Sequence, residues 1–204
     1  MEASGDEYAV LAARAEASLT VRGSRFLALA VPVRERGGCE EELAGRRKSL
    51  HDATHHPFAY RLGEGGSAWR AVDDGEPAGS AGRPILAAID GAGLSDVLVV
   101  VTRYFGGTKL GVGGLARAYR EAAGAALARG GRAVRVISAL IDVAVAHERV
   151  GPAMHAIAGA GGKILSSRYD AEVLLAVEIR RSRLEGLRAA LQEATRGAIR
   201  ISAR

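Results

Sequence analysis

The sequence predicts an α+β protein of two domains, residues 1–130 and 131–204. Three observations carry this reading. Short apolar, β-branched runs are interleaved with segments whose apolar residues recur at helical spacing. Arg129-Gly130-Gly131-Arg132 breaks the pattern where a long helical segment ends. Beyond that break the order of elements is β-α-β-β-α-β, the ferredoxin-like split βαβ unit. Before it, hairpins and helices mix without a strict βαβ alternation, which is an α+β signature.

Residues 18–21 and 25–33 predict a hairpin about Gly23. The second run alternates poorly, as a strand buried on both faces does. Residues 39–50 predict a charged helix, and residues 56–62 and 68–72 two strands joined by Gly63-Glu64-Gly65-Gly66. Residues 84–91 carry Ile85, Leu86 and Ile89 on one helical face, with Pro84 suited to a first turn. Residues 97–102 are nearly all apolar and β-branched, hence a central strand, and residues 113–129 return to helical spacing through Leu115, Ala118, Ala122, Ala126 and Arg129. In the second domain, residues 134–146 predict a strand and residues 150–160 a helix closed by Gly161-Gly162. Residues 163–169 and 172–179 predict a hairpin about Asp170. Residues 182–194 predict a helix with Ser182 and Glu185 as a capping box, and residues 198–202 a closing strand.

The chain is 48% hydrophobic and 25% charged, the balance of a globular protein rather than a disordered one. Its net charge of +5 permits binding to a polyanion without requiring it. The single cysteine, Cys39, excludes an intramolecular disulfide and reads as a free thiol of a reducing compartment. No apolar run approaches the length of a membrane span, and the acidic N-terminal stretch has no signal-peptide pattern. The expectation is a cytoplasmic protein with no membrane partner; its oligomeric state is left open.

Two glycine-dense tracts stand out. The first is Asp73-Asp74-Gly75-Glu76-Pro77-Ala78-Gly79-Ser80-Ala81-Gly82-Arg83-Pro84, and the second runs from Arg103 to Arg117 through Gly106, Gly107, Lys109, Gly111, Gly113 and Gly114. Glycine gives up the most backbone freedom on folding, so such density implies sharp turns or a close approach to something. Successive glycine N–H groups at a helix start can cradle an anion, and Arg103, Lys109 and Arg117 would add charge. The competing reading is a wide βα turn in which glycine permits close packing. Gly111-Val112-Gly113-Gly114-Leu115-Ala116 fits the dinucleotide pattern, but the acidic residue expected about twenty residues later is missing, so no cofactor is implied.

In the first tract Asp73, Asp74 and Glu76 could ligate a hard divalent cation, or could cap the following helix and pair with arginine. Ala78-Gly79-Ser80-Ala81-Gly82 is close to a nucleophile elbow, which opens a hydrolase or phosphotransferase alternative using Asp74, Glu76, His55 and Ser80. His51 and His55 share a helical face if that segment is helical, but Pro57 argues against it, and zinc is not expected. A nucleic-acid surface would draw on Arg25, Arg61, Arg103, Lys109 and Arg117 with Phe26, Tyr60, Trp69, Tyr104 and Phe105, although the strand aromatics fit a core equally.

At the two tracts the sequence resembles the IMPACT family, including its bacterial YigZ-type members. Asp73 to Pro84 matches the family's Asp-Asp-Gly-Glu-Pro-Ala-Gly-Ser/Thr-Ala-Gly-Lys/Arg-Pro. Arg103 to Gly107 and Leu110 to Leu115 match its Arg-Tyr-Tyr/Phe-Gly-Gly and Leu-Gly-x-Gly-Gly-Leu; Ser24-Arg25-Phe26 and the pair His55, Ala59 match two shorter motifs. The resemblance implies a first domain like the second domain of ribosomal protein S5 and a second like the ferredoxin-like domain of elongation factor G. Both folds occur on the translation machinery. The resemblance therefore implies a regulator of translation that contacts RNA or the ribosome, leaning away from enzymatic activity, with Arg25, Arg103, Lys109 and Arg117 as phosphate contacts. Gly106, Gly107, Gly111, Gly113 and Gly114 would line the groove, and Asp73, Asp74 and Glu76 would shape it. Eukaryotic members, linked to translation initiation, carry an additional N-terminal interaction domain that this sequence does not display. Val72 and Pro57-Phe58 stand where the family often has serine and a cysteine-containing pair.

Overall fold

A computed structural model describes residues 5–204. Two compact units are present: Tyr8–Arg135, and residues 5–7 together with Val136–Arg204.

The larger unit is built on a five-stranded sheet of order β2-β3-β6-β4-β5, every pair antiparallel. The strands are β2 (Ala15–Val21), β3 (Ser24–Pro32), β4 (Phe58–Leu62), β5 (Ala68–Val72) and β6 (Val97–Tyr104). The apolar run of β6 makes it the middle strand, because both of its faces are covered. Val97, Val99 and Val101 pack under α2 (Gly82–Ala92) and α3 (Gly111–Gly130), with Phe26, Ile85, Ile89 and Tyr119. Leu98 and Val100 face the opposite layer, where α1 (Arg36–Ser49) contributes Cys39 and Leu43. Alanine makes up much of the α3 contact surface (Ala118, Ala122, Ala123 and Ala126), which brings that helix close to the sheet. Burial, and then Glu40, push the Cys39 thiol up to about 11, so it behaves as a small core hydrophobe. Arg129, which helical spacing places on the inner face of α3, is exposed and donates to the Glu16 carbonyl at 3.0 Å.

A strand absent from the sequence reading, β1 (Glu7–Leu11), pairs with β7 (Arg132–Val136) as a separate two-stranded sheet. The expected single strand over residues 134–146 is broken at Ile137 into β7 and β8 (Ser138–Val145). The cause is a pair of partners distant in sequence: the Ile137 N–H donates to the Asp6 carbonyl at 2.7 Å and its carbonyl accepts from Arg181 N–H at 3.0 Å, so it joins neither ladder.

The smaller unit contains β8, α4 (Val150–Gly159), β9 (Lys163–Tyr169), β10 (Val173–Arg180), α5 (Leu184–Thr195) and β11 (Ile199–Ala203). Its sheet order, β11-β8-β10-β9 with antiparallel neighbours, is that of the ferredoxin-like unit. Alternate residues Ile141, Val143 and Val145 of β8 and Val173, Leu175, Val177 and Ile179 of β10 meet Ile157, Leu187 and Leu191 of the two helices. The expected capping box is not formed. Ser182 lies in a single 3₁₀ turn, and both its N–H and its hydroxyl donate to the Asp6 carboxylate, while α5 starts after Arg183 with no side-chain cap. Among the described residues, no helix is long and apolar enough to cross a membrane.

Candidate functional site

The antiparallel sheet brings the two glycine tracts to one end of the larger unit. β5 delivers the first tract into the start of α2, and β6 delivers the second into the start of α3. Just before β4, His55 bridges to the last turn of β6, its carbonyl accepting from Arg103 N–H at 3.1 Å. These segments enclose a cleft of about 590 Å³. Its polar wall is Thr54, His55, Glu76, Arg103 and Lys109; its apolar wall is Pro77, Phe105, Leu110, Val112 and Leu115; Gly75 and Gly111 complete the rim. Six of the residues singled out from sequence therefore share one cleft: His55, Glu76, Arg103, Phe105, Lys109 and Gly111. Arg25, Asp73, Asp74, Ser80, Gly106, Gly107, Gly113, Gly114 and Arg117 do not line it.

The three carboxylates of the first tract do three separate jobs. Asp73 accepts from the backbone N–H groups of Gly79, Ala81 and Gly82 at 2.8, 2.9 and 2.8 Å, folding the tract back on itself. Burial works to raise its pKa, but those three donors and Arg83 outweigh it and hold the carboxyl below its ordinary value. Asp74 accepts from His56 N–H at 2.8 Å and pairs with Arg47 at 2.6 Å, fixing the tract to α1. Glu76 is buried: it accepts from Arg103 Nη1 at 2.8 and 3.0 Å and from the Tyr119 hydroxyl at 2.6 Å. Burial, then the bond to Glu76, push the Tyr119 phenol upward, so it remains a donor. Among the described residues, no three His, Cys, Asp or Glu side chains form a group that could hold a metal ion.

Asp73→Ala removes an acceptor from three backbone donors and should cost about 2–3 kcal/mol at neutral pH. Because the folded-state pKa is depressed, this stabilisation is present above the unfolded value of 3.8 and is lost as pH falls through the folded one. The stability gap between wild type and variant, followed by urea denaturation, should therefore narrow below about pH 4.

The Ser80–His55–Asp74 arrangement of the hydrolase alternative is not assembled. Ser80 is fully buried and its hydroxyl has no hydrogen-bond partner among the described residues. His55 Nδ1 lies 2.8 Å from the backbone carbonyl of Asp74, not from its carboxylate. A carbonyl only accepts, so Nδ1 carries a proton, and in the neutral ring Nε2 is the acceptor. Gly75 keeps this contact open: its φ is +88°, and a Cβ there would lie 2.9 Å from His55 Nδ1. The neighbouring His56 is buried against Thr102 Oγ1 at 3.0 Å, and burial lowers its pKa.

Positive charge gathers on the other wall. The Arg103 side chain is nine-tenths buried, and while Nη1 is held by Glu76, Nε has no partner among the described residues. Its guanidinium carbon lies 5.7 Å from the Phe26 ring centre and 5.5 Å from that of Phe105. Phe26 is core, whereas Phe105 is 55% exposed. Lys109 is exposed on the rim. The 20-residue α3 opens here with no side-chain cap and no acidic residue in its first turn, so its positive end is uncompensated. Outside the cleft, Arg25 lies 4.9 Å from the Tyr104 ring centre, and Arg117 Nε approaches the Gly113 carbonyl at 3.4 Å.

The glycines divide by what they face. A Cβ on Gly82 would lie 2.5 Å from Val72 N, and one on Gly106 only 1.9 Å from the Gly23 carbonyl carbon, so at these positions the close approach is to the protein's own backbone. Gly106 N–H also donates to the buried Ser24 hydroxyl at 3.1 Å, which gives the Ser24-Arg25-Phe26 motif a role in holding the second tract. At Gly107, Gly111 and Gly113 an added methyl would meet nothing within 4 Å, so these three face open space. Two contributors escaped the sequence reading. Tyr119 lies four residues after Leu115 on the same helical face, a spacing that places it inward; Thr54 gave no local signal.

Residues 22–127 match the Impact N-terminal domain, and residues 143–198 match a domain of unknown function, DUF1949. A Thermus thermophilus protein described as an IMPACT family member in pol 5'region is 49% identical over 113 residues, 55% of this chain and 60% of that protein, so the match spans less than two thirds of that relative. The Escherichia coli K12 protein described as IMPACT family member YigZ is 31% identical over 189 residues, 90% of this chain and 91% of the relative. A crystal structure of a hypothetical protein superposes with a TM-score of 0.72 at 28% identity, covering 98% of each chain. With the Asp73-to-Pro84 and Arg103-to-Leu115 tracts built into one cleft, and with matches that run through both units, the chain belongs to the IMPACT family.

Proposed function

We propose that the protein is a cytoplasmic regulator of translation that contacts RNA on the ribosome through the cleft between the two glycine tracts. The observation that carries this reading is the meeting of Arg103, Lys109 and the uncapped start of α3 on one wall, with the exposed Phe105 beside them. Cation, helix terminus and aromatic are the parts a single-stranded nucleic-acid site combines. The carboxylates also support binding over hydrolysis, since Asp73 and Asp74 are tied to backbone N–H groups and Glu76 to Arg103.

Binding of an unstructured oligoribonucleotide is the test. With two to four phosphates engaged, log K should fall against log salt with a slope of about −1.5 to −3. Lys109→Ala should flatten that slope by about 0.7 and weaken binding to every sequence alike. Binding that is undetectable, or independent of salt, removes the reading.

A further inference from the structure

From the shape and charge of the same cleft we infer that it takes a single nucleotide bearing a terminal phosphate monoester, with the phosphate at Arg103 and the α3 start and the base on Phe105. The inference rests on the reading of this cleft as an RNA site and narrows it to an RNA end or a free nucleotide.

Size is the first ground. A cleft of about 590 Å³ falls within the range of pockets that enclose one small molecule, and it is too small for a duplex. Its two walls differ in kind. Phe105, Val112 and Leu115 offer an apolar and aromatic surface, while Arg103, Lys109 and the first amides of α3 offer donors. A ligand that fits both walls has a flat apolar part and an anionic part, as a nucleotide does.

Charge selects the kind of phosphate. Arg103 and Lys109 set against Glu76 leave one net positive charge on the polar wall, and the start of α3 adds about half a charge more. That balance matches a monoester, which carries about −1.5 to −2 at neutral pH, better than a diester with a single charge. Arg103 supplies the independent sign of a missing partner. Its side chain is nine-tenths buried, Glu76 holds it through Nη1, and Nε has no partner among the described residues, on a residue that lines the cleft. Buried donors are nearly always satisfied, so a bound oxyanion would complete this one. His55 adds a polar contact: with Nδ1–H held by the Asp74 carbonyl, Nε2 of the neutral ring can accept from a ribose hydroxyl.

The test is calorimetric titration of the full chain with AMP, adenosine, inorganic phosphate, and one oligoribonucleotide prepared with a 5′-phosphate, with a 3′-phosphate and with hydroxyl ends. AMP and one end-phosphorylated oligonucleotide should bind at least tenfold more tightly than adenosine and the hydroxyl-ended oligonucleotide. Which end is preferred distinguishes the polarity of the RNA, and AMP binding with neither end favoured assigns the cleft to a free nucleotide. Lys109→Ala should weaken both phosphate and AMP, whereas Phe105→Ala should weaken AMP about tenfold and spare inorganic phosphate. Both side chains are exposed, so neither variant threatens the fold. Adenosine binding as tightly as AMP, together with equal binding of the phosphorylated and hydroxyl-ended oligonucleotides, overturns the inference and leaves RNA binding standing. Failure of AMP and of every oligonucleotide overturns both. Inorganic phosphate binding as tightly as AMP, or a Phe105→Ala variant that binds AMP like wild type, removes the base from the site and overturns the inference.

Discussion

Gly106→Ala should destabilise the larger unit by about 3 kcal/mol or more and lower the thermal midpoint by roughly 10 °C. The added methyl would lie 1.9 Å from the Gly23 carbonyl carbon, 2.2 Å from its oxygen and 2.3 Å from Ser24 N. All three are backbone atoms, so no rotamer change can make room. Relief requires the loop after β6 to part from the β2–β3 turn, which also breaks the Gly106 N–H bond to Ser24 Oγ. Three positions into α3, Gly113→Ala has the opposite expectation. A methyl there meets nothing within 4 Å, and Gly113 lies in regular helical backbone, so alanine should leave stability unchanged or raise it by about 0.5–1 kcal/mol. Differential scanning calorimetry of the two variants decides the matter. Equal losses would show that the start of α3 is as tightly packed as the loop before it, and no loss in Gly106→Ala would show that the loop moves freely.

The contrast between these two glycines also marks where the sequence was readable. That a backbone comes close to something was legible from composition. What it comes close to was not, because Gly106 and Gly23 are far apart along the chain and only the β3–β6 pairing joins them. The unbroken apolar run of β6, a feature set within one element, was read correctly: it needs cover on both faces and has it. Features decided by a distant partner were misread. Ser182 and Glu185 satisfy the local pattern of a capping box, yet Asp6 takes the serine. Strand β1 is a five-residue segment whose partner β7 lies across most of the chain. The site followed the same rule. The tracts could be named from sequence, but whether Asp73 is a ligand or a brace depends on where Gly79, Ala81 and Gly82 turn their N–H groups.

Glu76→Ala should cost about 3–5 kcal/mol, because it strands a positive charge rather than merely deleting a contact. The Arg103 side chain is 9% exposed and Glu76 2%, so water replaces little of the lost attraction. The substitution also orphans the Tyr119 hydroxyl, which sits edge-on to Phe26 in the core with ring centres 5.1 Å apart. Tyr119→Phe removes only that hydroxyl and should cost about 1.5–3 kcal/mol. Replacing both members of the ion pair separates the two contributions: Glu76→Leu with Arg103→Met leaves no uncompensated charge and should be clearly more stable than Glu76→Ala alone. If the double variant is as unstable as the single one, packing rather than charge governs this part of the core. Ligand binding should move the other way. A protein that regains stability by losing Arg103 also loses a side chain that lines the cleft, so it should melt well above Glu76→Ala and still fail to bind phosphate. Recovery of both properties together would place the anion elsewhere and leave Arg103 as a structural residue alone. On the proposed reading Arg103 has two roles, partner of Glu76 and donor to a bound anion, and the double variant measures the two apart.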